Sequence, residues 1–138
     1  MKLAFSKGVN YVYLGTANLR SAIADLFTLR AVIWYGSAAL LLNLAGWFLT
    51  FALRRALGDE LAVLHYNITF GIDRIGETVS LFEMPLAGLA ILIFNLILSS
   101  FSRQKAERLI VHALLAMAVV GNGIILVSLY SIYLINIS

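Results

Sequence analysis

His65 is the residue of this chain with the most chemical capacity, and the same stretch carries Asp59, Glu60 and Asp73. Those are the residue types from which a metal site or an acid–base pair is built. The spacing completes neither. One histidine among scattered carboxylates lacks ligand geometry, and the second histidine, His112, falls in an apolar stretch expected to end on the opposite side of a membrane. The absence of cysteine removes thiolate metal sites, disulfides and cysteine nucleophiles. No catalytic, metal-binding or cofactor-binding residue is therefore expected, and the chain reads as a non-enzyme.

A second set of chemically capable residues is Asn43, Asn95 and Asn122, one near the middle of each of three long apolar stretches. An amide in hydrocarbon is costly without a partner, so such residues hydrogen-bond across helices, for roughly 0.6–2 kcal/mol each. A midplane substrate or ion site is the sharper reading. It is disfavoured because residues 31–53, 84–102 and 109–138 contain no Asp, Glu, Lys or Arg, the groups that relays and carriers use. Packing is the expected role. Gly36, Ala39, Asn43, Gly46 and Thr50 recur three and four apart along one helical face, a seam that lets a partner approach closely. Gly88, Leu92, Asn95, Ser99 and Ser102 repeat the pattern less purely, and this second seam is expected to meet the first.

The elements that must position these residues follow from composition. The 138 residues are 62% hydrophobic, with a mean hydropathy of +0.94. At about 1.5 Å per residue, 19 to 23 uncharged residues cover a hydrocarbon layer about 30 Å thick. The expected architecture is an all-α membrane protein forming one membrane domain. Its spans are residues 31–53, 84–102 and 109–135, joined by an external loop, 54–83, and a cytoplasmic turn, 103–108. Residues 18–30 place Leu19, Ala22, Ile23, Leu26 and Phe27 at helical spacing after Asn18, which predicts an amphipathic helix on the membrane surface. The alternative is that they extend the first span. No removable signal peptide is expected.

Lys and Arg sit in twos and threes beside the spans and form no continuous stripe, so nucleic acid is not an expected partner despite a pI near 9.5. Lys2, Lys7, Arg20, Arg30, Arg103, Lys105 and Arg108 share one side of a three-span topology, against Arg54, Arg55 and Arg74 on the other. That places the N-terminus in the cytoplasm and the C-terminus outside. Arg54 and Arg55 dissent, although two cations at a helix C-terminus also complement its dipole.

In the external loop, Leu64, Tyr66, Ile68, Phe70 and Ile72 alternate with His65, Asn67, Thr69 and Gly71, a strand signature. Turn-forming residues at 71–76 and a shorter return strand at 78–82 predict a small hairpin. Two strands alone are marginal in water, so the hairpin must rest on the bilayer, on helix ends or on another protein. Asn67 and Asn136 each head a glycosylation-type triplet, which is discounted as a chance match.

The run Leu64-His65-Tyr66-Asn67-Ile68, then Phe70-Gly71-Ile72-Asp73 and Ile75-Gly76, followed by Pro85 and Asn95, resembles a group of small membrane proteins of candidate-phyla (Patescibacteria-type) bacteria. The similarity covers residues 60–135. It implies a bacterial plasma-membrane location with this loop as a signature, and it implies no activity.

The combined expectation is a structural or assembly subunit. Its partners are the lipid bilayer and either further copies of itself or another membrane protein, met through loop residues His65, Tyr66, Asn67, Phe70, Gly71, Asp73, Gly76 and Pro85 and through the helix seams. A small oligomeric pore, carrier or holin-like permeabiliser is the alternative.

Overall fold

A computed structural model of the protein describes residues 27–58, 61–67, 69, 71–104 and 108–137. The chain forms helix α1 (Arg30–Leu57), strands β1 (Leu61–Asn67) and β2 (Gly71–Glu77), a 3-10 turn (Thr78–Phe82), helix α2 (Glu83–Gln104) and helix α3 (Arg108–Ile137). Residues 18–26 of the expected amphipathic helix, loop residue Phe70 and residues 105–107 of the expected cytoplasmic turn lie outside the described residues. The backbone at Leu29 is extended (φ −82°, ψ 120°), and α1 starts at the next residue.

All three helices are long and apolar enough to cross a membrane. Polar side chains share the interior with apolar ones, and large apolar side chains cover the outside. Asn43, Thr50, Ser99, Ser100 and Asn122 are buried, whereas Trp34 and Phe48 are each 76% exposed and Leu109 is 83% exposed. Large apolar groups on the outside and small polar groups between the helices suit a hydrocarbon solvent, where exposed apolar surface has no cost and polar groups must find internal partners.

Helices α1 and α2 are longer than the uncharged stretches alone indicate. Gly58 (φ 63°) closes α1 with its N–H donating to Arg54 O at 2.9 Å, so Arg54 and Arg55 lie in the last helical turn, next to the carbonyls whose partial charge they complement. Helix α3 continues through Gly121 and Gly123 for 30 residues, about 45 Å, and its last turns carry Ile132 and Asn136, which meet the hairpin.

The α1 and α2 seams meet over part of their length, with Gly88 beside Asn43 and Leu92 packed with Ala39. Helix α3 is the central element: α1 and α2 each pack mainly along it and touch each other over a shorter stretch. Three small cores mark the interface. Val32, Val111 and Leu115 pack at one end, Ala39, Leu92 and Ala118 come next, and Leu53, Ala62, Leu81 and Ile132 pack under the hairpin. Of the small α1 residues, Gly46 faces Leu129 of α3 and Ala39 packs with Ala118 of α3.

The hairpin exists, with its turn earlier than expected. Strand β1 ends at Asn67, the return strand is Gly71–Glu77, and the segment expected to return, 78–82, is the 3-10 turn. The alternation read through residue 72 runs across the turn because Gly71, at φ 77°, reverses the chain without breaking the polar–apolar rhythm. Pairing is antiparallel, with Val63 opposite Ile75, His65 opposite Arg74 and Tyr66 opposite Ile72. This register leaves Leu64 and Asp73 without opposite numbers, so irregularities on both strands break the strict alternation.

Candidate functional site

Two constellations of polar side chains hold the structure together. The first lies between the helices. Asn43 Nδ2 donates to Pro85 O (2.8 Å) and to Asn122 Oδ1 (3.0 Å), joining α1 to both other helices. Asn122 Nδ2 donates to Gly88 O (3.1 Å) and to Ala118 O (2.9 Å). Trp47, one turn beyond Asn43, donates its indole N–H to Asn43 Oδ1 (3.1 Å). Both amide N–H bonds of each asparagine are used and both amide oxygens accept. With Asn43 3% and Asn122 1% exposed, the pair is sealed as well as satisfied.

Gly88 makes the pair possible. A Cβ built there would run into Asn122 Oδ1 and lie 2.7 Å from Asn43 Nδ2, so any larger residue would displace the amides. The other small residues differ. Ala39 is buried against Leu92 and Ala118. An added Cβ at Gly46 would meet Leu129 and Pro85 at ordinary distances, 3.5 and 3.8 Å. Gly36 is half-buried with nothing within 4 Å of such a Cβ, so it is not a close-packing point. Asn95 stands apart from the other two asparagines: it is half-buried and donates to its own helix at Ile91 O (2.8 Å). A mid-span position therefore did not bring all three together. Asn95 lies on nearly the same face of α2 as Gly88 but seven residues, about 10 Å, further along it, away from the level at which Asn122 meets Gly88 O. Thr50 Oγ1 and Ser99 Oγ are buried with no hydrogen-bond partner among the described residues.

The second constellation fixes the hairpin. Val63 N–H donates to Asn136 Oδ1 (2.9 Å), and Asn136 Nδ2 donates to Val63 O (3.0 Å) and to Ile132 O (2.8 Å). The amide of Asn136 thus pairs with the edge of β1 as a neighbouring strand would. Thr78 Oγ1 donates to Gly58 O (2.9 Å), tying the far end of the hairpin to the C-terminal cap of α1. Ala62 and Leu81 complete an apolar floor with Leu53 and Ile132. The hairpin therefore rests on helix ends.

The loop residues singled out by sequence are distributed along this hairpin. His65 is exposed and lies opposite Arg74 in register; Tyr66 and Asn67 complete β1, and Asn67 pairs with Gly71. Asp73 occupies the irregular position of β2, and Gly76 pairs with Ala62. An added Cβ on Gly76 would meet the tip of the unpaired Leu64 at 2.6 Å. Pro85 is buried, and its carbonyl belongs to the amide network. Among the described residues no three of His, Cys, Asp and Glu gather as a metal site would require.

Sequence reading missed Trp47 and Asn136 as partners, and it placed Gly88 in the α2 seam without linking it to Asn122. Trp47 was legible as the residue four after Asn43, and Asn136 as an amide near the end of an otherwise apolar helix. No family model, curated protein or solved structure matches this chain.

Proposed function

We propose that this is a non-enzymatic plasma-membrane protein of bacterial type. It crosses the bilayer three times with its N-terminal side in the cytoplasm, and it works as a structural or assembly subunit whose external hairpin contacts a second copy or a larger membrane complex. The observation that carries the reading is the division of labour between surfaces. Ala39, Asn43, Gly46 and Thr50 are consumed inside one protomer, which leaves the hairpin as the surface outside the bundle, with Leu61, Ile72, Ile75 and Val79 at least half exposed. Apolar side chains displayed on a polar, docked platform favour protein contact. The partner role therefore moves from the helix seams to the loop.

Crosslinking in native membranes tests this reading. A cysteine in place of Thr69, at the turn, should trap one discrete neighbour, whereas recovery of only the uncrosslinked monomer at native abundance would overturn the proposal. A pore or carrier is the weaker reading, because a lumen-lining amide keeps polar groups available to water or solute and those of Asn43 and Asn122 are all engaged. Loss of membrane potential on induction, abolished by Asn43→Leu, would favour the pore.

A further inference from the structure

Two clefts open at the hairpin end of the bundle, with volumes of about 610 and 510 Å³. They share Leu64, Arg74, Ser80 and Glu83, and they diverge on either side of the start of α2. One runs between α2 and α3 past Ala87, Ile125 and Ile132; the other runs toward α1 past Trp47, Phe82 and Leu86. Ile125 and Ile132 are seven residues apart on α3, so the first arm reaches about 10 Å below the polar rim.

We propose that these joined clefts hold one diacyl phospholipid with a zwitterionic, amine-bearing headgroup of the phosphatidylethanolamine type. The polar rim carries both charge signs: Arg74 and Glu83 border both clefts, and Glu77 borders the second. Arg74, with His65 beside it on the first cleft, faces a phosphodiester, and Glu83 on the same rim accepts hydrogen bonds from a primary ammonium. A purely anionic headgroup would meet the Glu83 carboxylate, and a quaternary ammonium has no N–H to donate to it. The two apolar arms match the two chains of a diacyl lipid, and the rim lies at the helix ends, where headgroups sit when the bundle is in a bilayer. Each arm is of the size usual for a small-molecule site. The inference requires the bundle to lie in lipid. It requires no protein partner, so it and the assembly role succeed or fail separately.

Native mass spectrometry of the full chain, released from nanodiscs containing equal amounts of phosphatidylethanolamine, phosphatidylcholine and phosphatidylglycerol, tests it. The wild type should retain a single phosphatidylethanolamine about tenfold over either competitor, the scale of one hydrogen bond to a charged group. Glu83→Gln should bring phosphatidylethanolamine and phosphatidylcholine close to parity. Arg74→Gln should reduce retention of all three lipids by about tenfold. Ala87→Phe, which narrows the α2–α3 arm without changing charge, should reduce retention while leaving the thermal midpoint in detergent unchanged. Equal retention of the three lipids by the wild type, a preference for phosphatidylglycerol, or unchanged selectivity in Glu83→Gln would overturn the proposal.

Discussion

A buried amide pair whose every polar hydrogen is engaged is stabilising only as a pair. Asn43→Leu leaves Asn122 Oδ1 without its interhelical donor and the Pro85 carbonyl without its side-chain partner, and should cost about 1–3 kcal/mol in steric-trap or SDS unfolding. The double variant with Asn122→Leu should lose less than the sum of the two single losses; additive losses would show that the two amides act independently. Gly88→Ala should cost about 1–3 kcal/mol, because its methyl group enters the space of the amides, whereas Gly36→Ala should stay within about 0.5 kcal/mol of the wild type. Thr50→Val removes a buried hydroxyl that has no partner and should be neutral or stabilising. A clear loss of stability there would reveal a hydrogen bond to Thr50 Oγ1. At this scale the sequence announced that asparagines at membrane depth need partners, and it did not announce which. The choice between Asn95 and Asn122 turned on about 10 Å of level along α2 and on a glycine across the interface, quantities that periodicity does not resolve.

The hairpin is the element whose position depends most on one side chain. With Asn136→Ala, β1 loses both hydrogen bonds to its outer edge, and Val63 should exchange its amide hydrogen faster while the central turns of α1 and α3 keep their protection. Equal protection of Val63 in the variant would mean that the apolar floor of Leu53, Ala62, Leu81 and Ile132 alone holds the strand. The presence of two strands was readable from residue alternation. The turn was misplaced because one glycine reverses the chain within an unbroken pattern, and because unpaired residues at 64 and 73 shift the register on both strands. Span lengths were underestimated for a related reason. Charge marks where hydrocarbon ends, whereas a helix ends where its last carbonyls are capped, and at Gly58 that is several residues later.

For the whole molecule, the proposed orientation rests on the excess of Lys and Arg flanking the side assigned to the cytoplasm. A single cysteine replacing Thr69 should react with an impermeant maleimide in intact cells, and labelling only after lysis would invert the topology. The number and order of the long helices were legible from hydropathy alone. Which helix is central was not, because all three are apolar on most faces and small residues announce close packing without naming the neighbour.

The arrangement around α3 also dictates when the protein can become whole. Val63 and the asparagine that clasps it are 73 positions apart, and α1 and α2 each make most of their helix packing against the third helix. At about 5–20 residues per second, translation leaves β1 waiting about 4–15 s with its outer edge bare. In that interval the ribosome-bound chain displays a strand that any insertion factor or neighbouring nascent chain could pair with, and emergence of the last helix closes the opportunity.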